Sequence, residues 1–153
     1  MNIITSKDNE FVKHVKKLKE KKYRDICQSY IIEGIKLVKE AINENANIKQ
    51  IVICEDCTKI DVIPKELMYE IAKYECVYVT KKIFDTLTDV VNPQGILAII
   101  EKDINNNEID YKSDIIVALD DIQDPGNLGT ILRTVDSVRI KPNFGVKRHS
   151  RCI

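Results

Sequence analysis

An unbroken apolar run, Ile115-Ile116-Val117-Ala118-Leu119, passes directly into the carboxylates Asp120, Asp121 and Asp124 and then into Pro125-Gly126-Asn127. Mostly β-branched residues with no polar alternation predict a strand covered on both faces, which is the strand type of an α/β sheet. Pro125 fixes φ and Gly126 supplies a turn conformation, so the chain leaves the strand through a tight polar loop. Asn127 can cap the helix that follows. Leu128, Ile131, Leu132, Val135 and Val138 recur at helical spacing and are expected to face the sheet. Asn127, Thr130, Arg133 and Thr134 then fall on the opposite, loop-facing side. A cap and an arginine within two turns of a helix N-terminus form an electropositive concavity suited to an anion. Pattern alone also permits the plainer reading, in which Asn127 is only a cap and Arg133 only a solvated helix residue.

Upstream, strands and helices alternate. Residues 9–24 read as one basic helix, 30–32 as a short strand ending at Glu33-Gly34, and Ile35, Val38, Ala41 and Ile42 as the apolar face of a helix. Ile48–Cys54 reads as a strand, 64–73 as a helix with proline at its start, and 77–79 as a strand. A short helix over Lys81–Leu87 and a strand over 95–100 complete the unit. This order predicts an α/β layered domain of about a hundred residues. The polar stretch 103–108 has no apolar period and reads as part of a linker over 103–112.

A formal net charge of zero over 153 residues conceals a polarity. Residues 1–24 carry a net +5, residues 25–138 a net −10, and residues 139–153 a net +5. Lys13, Lys17, Lys21 and Arg24 recur at near-helical intervals, as in an arm that binds phosphates or in a solvated helix face. With 44% apolar and 31% charged residues the composition is that of a globular domain. No apolar run approaches transmembrane length and the N-terminus lacks a signal-peptide core, so no membrane association and a cytoplasmic location are expected. Cys54-Glu55-Asp56-Cys57 is a lone CxxC without a second pair or a nearby histidine, which makes reduced thiols at a strand end the expected reading and no metal the expectation. His14 and His149 stand isolated and receive no role.

The segment LDDIQDPGNLGTILRTVDS resembles the first signature motif of the SpoU/TrmH family, the RNA ribose 2′-O-methyltransferases of the SPOUT superfamily. Three upstream features are similar to the same family in the expected order: Asn9-x-x-Val12-Lys13, YIIEGIKLVKEAI with Glu33-Gly34, and VNPQGILAII with Gln94-Gly95. The resemblance implies an RNA substrate-binding domain over 1–102, similar in fold to small ribosomal and kink-turn RNA-binding proteins. Residues 113–138 would begin an α/β-knot methyltransferase domain. It further implies rRNA or tRNA as partner, S-adenosylmethionine as cofactor and a homodimer for full-length members. Asn127 and Arg133 would belong to the RNA-facing, catalytic side. An arginine is effectively always protonated, so Arg133 suits orientation of a phosphate or stabilisation of a developing alkoxide better than proton abstraction. Gly129 would allow close backbone approach. Glu33, Gln94 and Gly95 are expected to be structural, with Glu33 satisfying backbone donors.

Residues 139–153 depart from the family pattern and hold three of the five arginines. One legitimate codon choice for this stretch, read one base later, encodes a glycine, an apolar strand and a polar loop, which is the continuation the family would have. A frameshifted, truncated methyltransferase is therefore expected, without a cofactor site, without turnover and with no assured dimer; a genuine basic tail is the other reading. Function divides likewise between a truncated SpoU/TrmH-type enzyme and a stand-alone RNA-binding adaptor. A strand built for burial on both faces argues against the adaptor.

Overall fold

The computed structural model describes residues 3–56, 62–102, 117–138 and 144–146, and the chain divides into two compact units, 1–103 and 104–153. The first unit runs β1 (Ile3–Ile4), α1 (Glu10–Lys17), α2 (Lys21–Cys27), β2 (Ser29–Glu33), α3 (Ile35–Asn43), β3 (Ile48–Cys54), α4 (Lys65–Ile71), β4 (Cys76–Val79), α5 (Lys81–Leu87) and β5 (Ile96–Glu101). Its five strands form one sheet in the order β1-β4-β3-β5-β2. β1, β4 and β3 pair in parallel, whereas β5 runs antiparallel to both β3 and β2.

Both faces of this sheet are covered, which explains why its central strands are apolar at successive positions rather than at alternate ones. In β5, Leu97 and Ile99 point to one side and Ile96, Ala98 and Ile100 to the other, all of them 3% exposed or less. On the first side Val12, Val15 and Leu18 of the α1 region and Ile83, Phe84 and Leu87 of α5 pack against Val52, Val79 and Leu97. On the second, Val38 and Ile42 of α3 and Leu67 and Ile71 of α4 pack against Ile51, Ile53 and Ile96. The result is a three-layer α/β/α unit with two apolar cores.

The expected single helix over 9–24 is two helices. Asn9 caps the first, its side chain accepting from Phe11 N at 2.9 Å. The helix ends at Leu18, and after Lys19 and Glu20 the chain starts α2 in a new direction. No glycine or proline marks the break. It is held instead by Arg24, whose Nη1 donates to the carbonyl oxygens of Leu18 at 3.2 Å and Lys19 at 2.6 Å. A cation on the last carbonyls of a helix satisfies acceptors that have no intrahelical donor. β1, absent from the sequence reading, is only two residues long.

The second unit contains β6 (Val117–Leu119), α6 (Pro125–Ser137) and β7 (Phe144–Val146). β6 and β7 pair in parallel, with Val117 opposite Phe144 and Leu119 opposite Val146. Residues 144–146 of the basic segment are thus paired as a strand. Residues 115 and 116 and the linker at 103–112 lie outside the described residues, as do Cys57, Cys152 and His149.

Candidate nucleic-acid interface

The N-terminal basic residues straddle the elbow between α1 and α2. Lys13 and Lys17 sit one turn apart on α1, and Lys21 opens α2. Lys13 makes an exposed ion pair with Glu10 at 3.3 Å, a contact of small energetic weight. The Lys17 ammonium lies 5.6 Å from the centroid of the Tyr23 ring, within cation–π range. Arg24 is half-buried and tied to the α1 carbonyls, so the structure gives it a capping role beside any contact with a phosphate. Its spacing from the lysines is a property of two helices and not of one stripe.

Two neighbours of these lysines escaped the sequence reading. His14, read as isolated, faces Tyr23 across the elbow: its Nδ1 is 3.1 Å from the Tyr23 hydroxyl and the rings meet edge to face at 5.6 Å. A hydrogen bond with Cys27, followed by burial and the charge interaction with that thiol, pushes the Tyr23 hydroxyl above the ordinary phenol range, so Tyr23 stays neutral. Aromatic rings interleaved with cations can supply stacking and phosphate contacts together. Periodicity could not find this arrangement, because it depends on where the helix breaks.

The motif residues of the first unit build one corner. Glu33 does not satisfy backbone donors as expected; its Oε1 accepts from the Thr88 hydroxyl at 2.6 Å, and Thr88 Oγ1 in turn accepts from Val90 N at 2.9 Å. The backbone donor is satisfied by Gln94, whose Oε1 accepts from Ile35 N at 2.9 Å and so caps α3 from 59 residues away. Gly34 adopts φ 100° and ψ 153°, a conformation essentially restricted to glycine. A Cβ there would stand 3.1 Å from the same Gln94 oxygen. Gly34 N donates to Ile96 O, and Cys54 N donates to Gly95 O, where Gly95 has φ 74°. Glu33-Gly34 and Gln94-Gly95 thus lock β2, α3, β3 and β5 together.

In the second unit the cap is Asp124 and not Asn127. Asp124 Oδ1 accepts from Asn127 N at 2.8 Å, and Asp124 O accepts from Leu128 N at 3.1 Å. Pro125 therefore occupies the first helical position, where a missing N–H is harmless. Gly126 leaves room for this cap, since a Cβ there would meet Asp124 Oδ1 at 2.9 Å. Asn127 and Arg133 are both exposed on α6, and Arg133 reaches back so that its Nη2 lies 3.9 Å from where a Gly129 Cβ would stand. Thr130 and Thr134 donate their hydroxyls to Gly126 O and Thr130 O at 2.9 Å, which engages them along the helix. Of the apolar face, Val135 is buried and Leu128 and Ile131 half-buried, whereas Leu132 and Val138 are 36% and 58% exposed and depart from the expectation.

Cys54 is a buried free thiol at the end of β3, and among the described residues no group of histidines, cysteines and carboxylates could hold a metal ion. No helix among them is long and apolar enough to cross a membrane.

Residues 9–98 match the family described as the MRM3-like substrate binding domain. The chain is 34% identical over 137 residues to the 23S rRNA (guanosine(2553)-2′-O)-methyltransferase RlmP of Bacillus subtilis, covering 90% of this chain and 51% of that protein. It is 27% identical over 126 residues to the mitochondrial rRNA methyltransferase 3 of Homo sapiens, covering 76% of this chain and 28% of the relative. Among solved structures, an rRNA methyltransferase from Sinorhizobium meliloti superposes with a TM-score of 0.70 at 32% identity, over 89% of this chain and 51% of that one. The AdoMet-bound form of an rRNA methyltransferase from the same organism is similar at a TM-score of 0.69. The chain spans about half the length of the Bacillus protein and of these solved chains.

Proposed function

The chain belongs to the MRM3-like substrate-binding family, and from that premise we propose that it serves ribose 2′-O-methylation of rRNA by engaging the RNA. The observation that carries this reading is the pairing of the family's substrate-binding region, residues 9–98, with the Asn127/Arg133 helix on one chain. The lysines at the α1–α2 elbow would neutralise backbone phosphates without reading sequence. Asn127 and Arg133 would meet the RNA near the reacting ribose. Arg133, an exposed and permanently charged donor fork, would orient a phosphate or stabilise an oxyanion, not remove a proton.

S-adenosylmethionine would supply the transferred methyl group. The described residues of the second unit, an exposed loop with Asp120, Asp121 and Asp124 and one exposed arginine, do not fit a nucleoside that must be enclosed. No step is therefore assigned to this chain's residues through that group, and a dimer is likewise assigned to none of them. The RNA-binding adaptor reading shares the elbow and differs only in chemistry.

The test is methyl transfer from labelled S-adenosylmethionine to unmodified rRNA by this protein, alone and with the Arg133→Ala variant. RNA-dependent incorporation that falls in the variant far more than cofactor affinity does would support the methyltransferase reading. RNA binding without incorporation is the result expected of a chain with no enclosed cofactor site and keeps the RNA-engaging reading, as interrupted enzyme or as adaptor, and absence of both would overturn the proposal.

A further inference from the structure

Two opposite charges line one cleft of the first unit without pairing to each other. This open cleft has a volume of about 310 Å³ and is lined by Leu18, Ile31 and Leu87 together with Arg24, Tyr30 and Glu33. That volume is at the lower end of small-ligand sites, roughly 300–1,000 Å³. Lys19 and Asp89, which also line it, form an ion pair with each other at 2.8 Å. Arg24 is anchored through Nη1 on the carbonyls of Leu18 and Lys19, and its Nε and Nη2 have no partner among the described residues. Glu33 is anchored through Oε1 on Thr88, and its Oε2 has none. Opposite charges lining so small a space gain most by closing on each other as a forked ion pair. Here each is anchored separately, which leaves free donors of Arg24 and a free acceptor of Glu33 lining the same cleft.

We infer that this cleft takes an unpaired guanine base, an inference that rests on the RNA-binding reading above. Guanine presents acceptors, O6 and N7, on one edge and donors, N1–H and N2–H, on the next. Arg24 donates to the first edge, the bidentate contact that an arginine fork makes with this base. Glu33 accepts from the second with its two oxygens, since Oε1 keeps a lone pair beyond the one used by Thr88. Adenine would set its N6 amino group against the guanidinium and offers no N1–H. Uracil has one ring N–H and no neighbouring amino group. Half-buried Ile31 and exposed Tyr30 offer apolar and aromatic surface to the faces of the ring.

Amide chemical-shift titration of the 153-residue chain with guanosine, inosine and adenosine 5′-monophosphates tests this directly, because inosine lacks only the N2 amino group. Guanosine monophosphate is expected to shift Arg24, Glu33 and their neighbours at millimolar concentration, about tenfold more tightly than adenosine monophosphate, with inosine between them. Glu33→Gln, which retains an acceptor for Thr88, is expected to abolish the preference. Equal responses to the three nucleotides, or no response at these residues, would overturn the inference on the wild-type protein alone. Anisotropy with oligouridine strands bearing one central guanine, inosine or adenine separates it from the reading it rests on. Strong binding with no base preference removes the guanine site and leaves the RNA function standing. A nucleotide preference without RNA binding keeps the site and removes the function.

Discussion

Replacing Gly34 by alanine tests whether the two motif pairs of the first unit form one locked corner. Gly34 has φ 100° and ψ 153°, and holding a non-glycine residue there costs about 1–3 kcal/mol. The added Cβ would also stand 3.1 Å from Gln94 Oε1, which is the acceptor that caps α3 through Ile35 N. Pushing that oxygen away loosens a hydrogen bond with a net value of about 1 kcal/mol. The two terms together give a destabilisation of about 2–4 kcal/mol, a large part of the stability of a small domain. Urea unfolding followed by circular dichroism measures it, provided the slope against urea is unchanged. Gln94→Ala alone should cost about 1 kcal/mol, as the loss of a cap does. It also removes the atom that the new Cβ would crowd, so the double variant should be less destabilised than the sum of the two by about 1 kcal/mol. A Gly34→Ala protein within about 0.5 kcal/mol of wild type, or strict additivity in the cycle, would refute the coupled corner.

Three further outcomes follow from the same geometry. Arg24→Ala removes the donor to two carbonyl oxygens at the end of α1, and should destabilise the first unit by about 1–3 kcal/mol, read as a lower urea midpoint. Asp124→Ala should weaken the start of α6 by about 1 kcal/mol, whereas Asn127→Ala should leave that helix nearly unchanged; amide hydrogen exchange across 125–137 distinguishes the two. Burial pushes the Cys76 thiol above its ordinary range, so at neutral pH Cys76 should alkylate more slowly than a free model thiol, by mass spectrometry of the native protein.

Elements fixed by local pattern were legible in the sequence, and elements fixed by distant contacts were not. Ile48–Cys54 and Lys81–Leu87 match their expected bounds because an apolar run or a helical period is closed by polar residues at both ends. The helix break after Lys17 has no local signal, since it is secured by a guanidinium that arrives from the next helix. Gln94 and Glu33 were recognisable as motif residues, but their partners, Ile35 and Thr88, lie more than 50 residues away in each case. Asp124 and Asn127 are both good capping residues, and Pro125 at the first helical position decides between them. The candidate interface was legible as charge and illegible as shape: the lysines are visible in the sequence, whereas the Tyr23–His14 contact beside them exists only because the chain turns at 18–20.

The central claim is that this chain holds RNA through the α1–α2 elbow, and the salt dependence of its affinity for an rRNA fragment tests it most directly. The logarithm of the association constant should fall linearly with the logarithm of salt concentration as counterions are released. The Lys17→Glu/Lys21→Glu variant should bind more weakly across RNA sequences and lose about one unit of slope per lysine. An affinity and slope unchanged from wild type in low salt would contradict the account, because the lysines would then be solvated side chains and the elbow no interface.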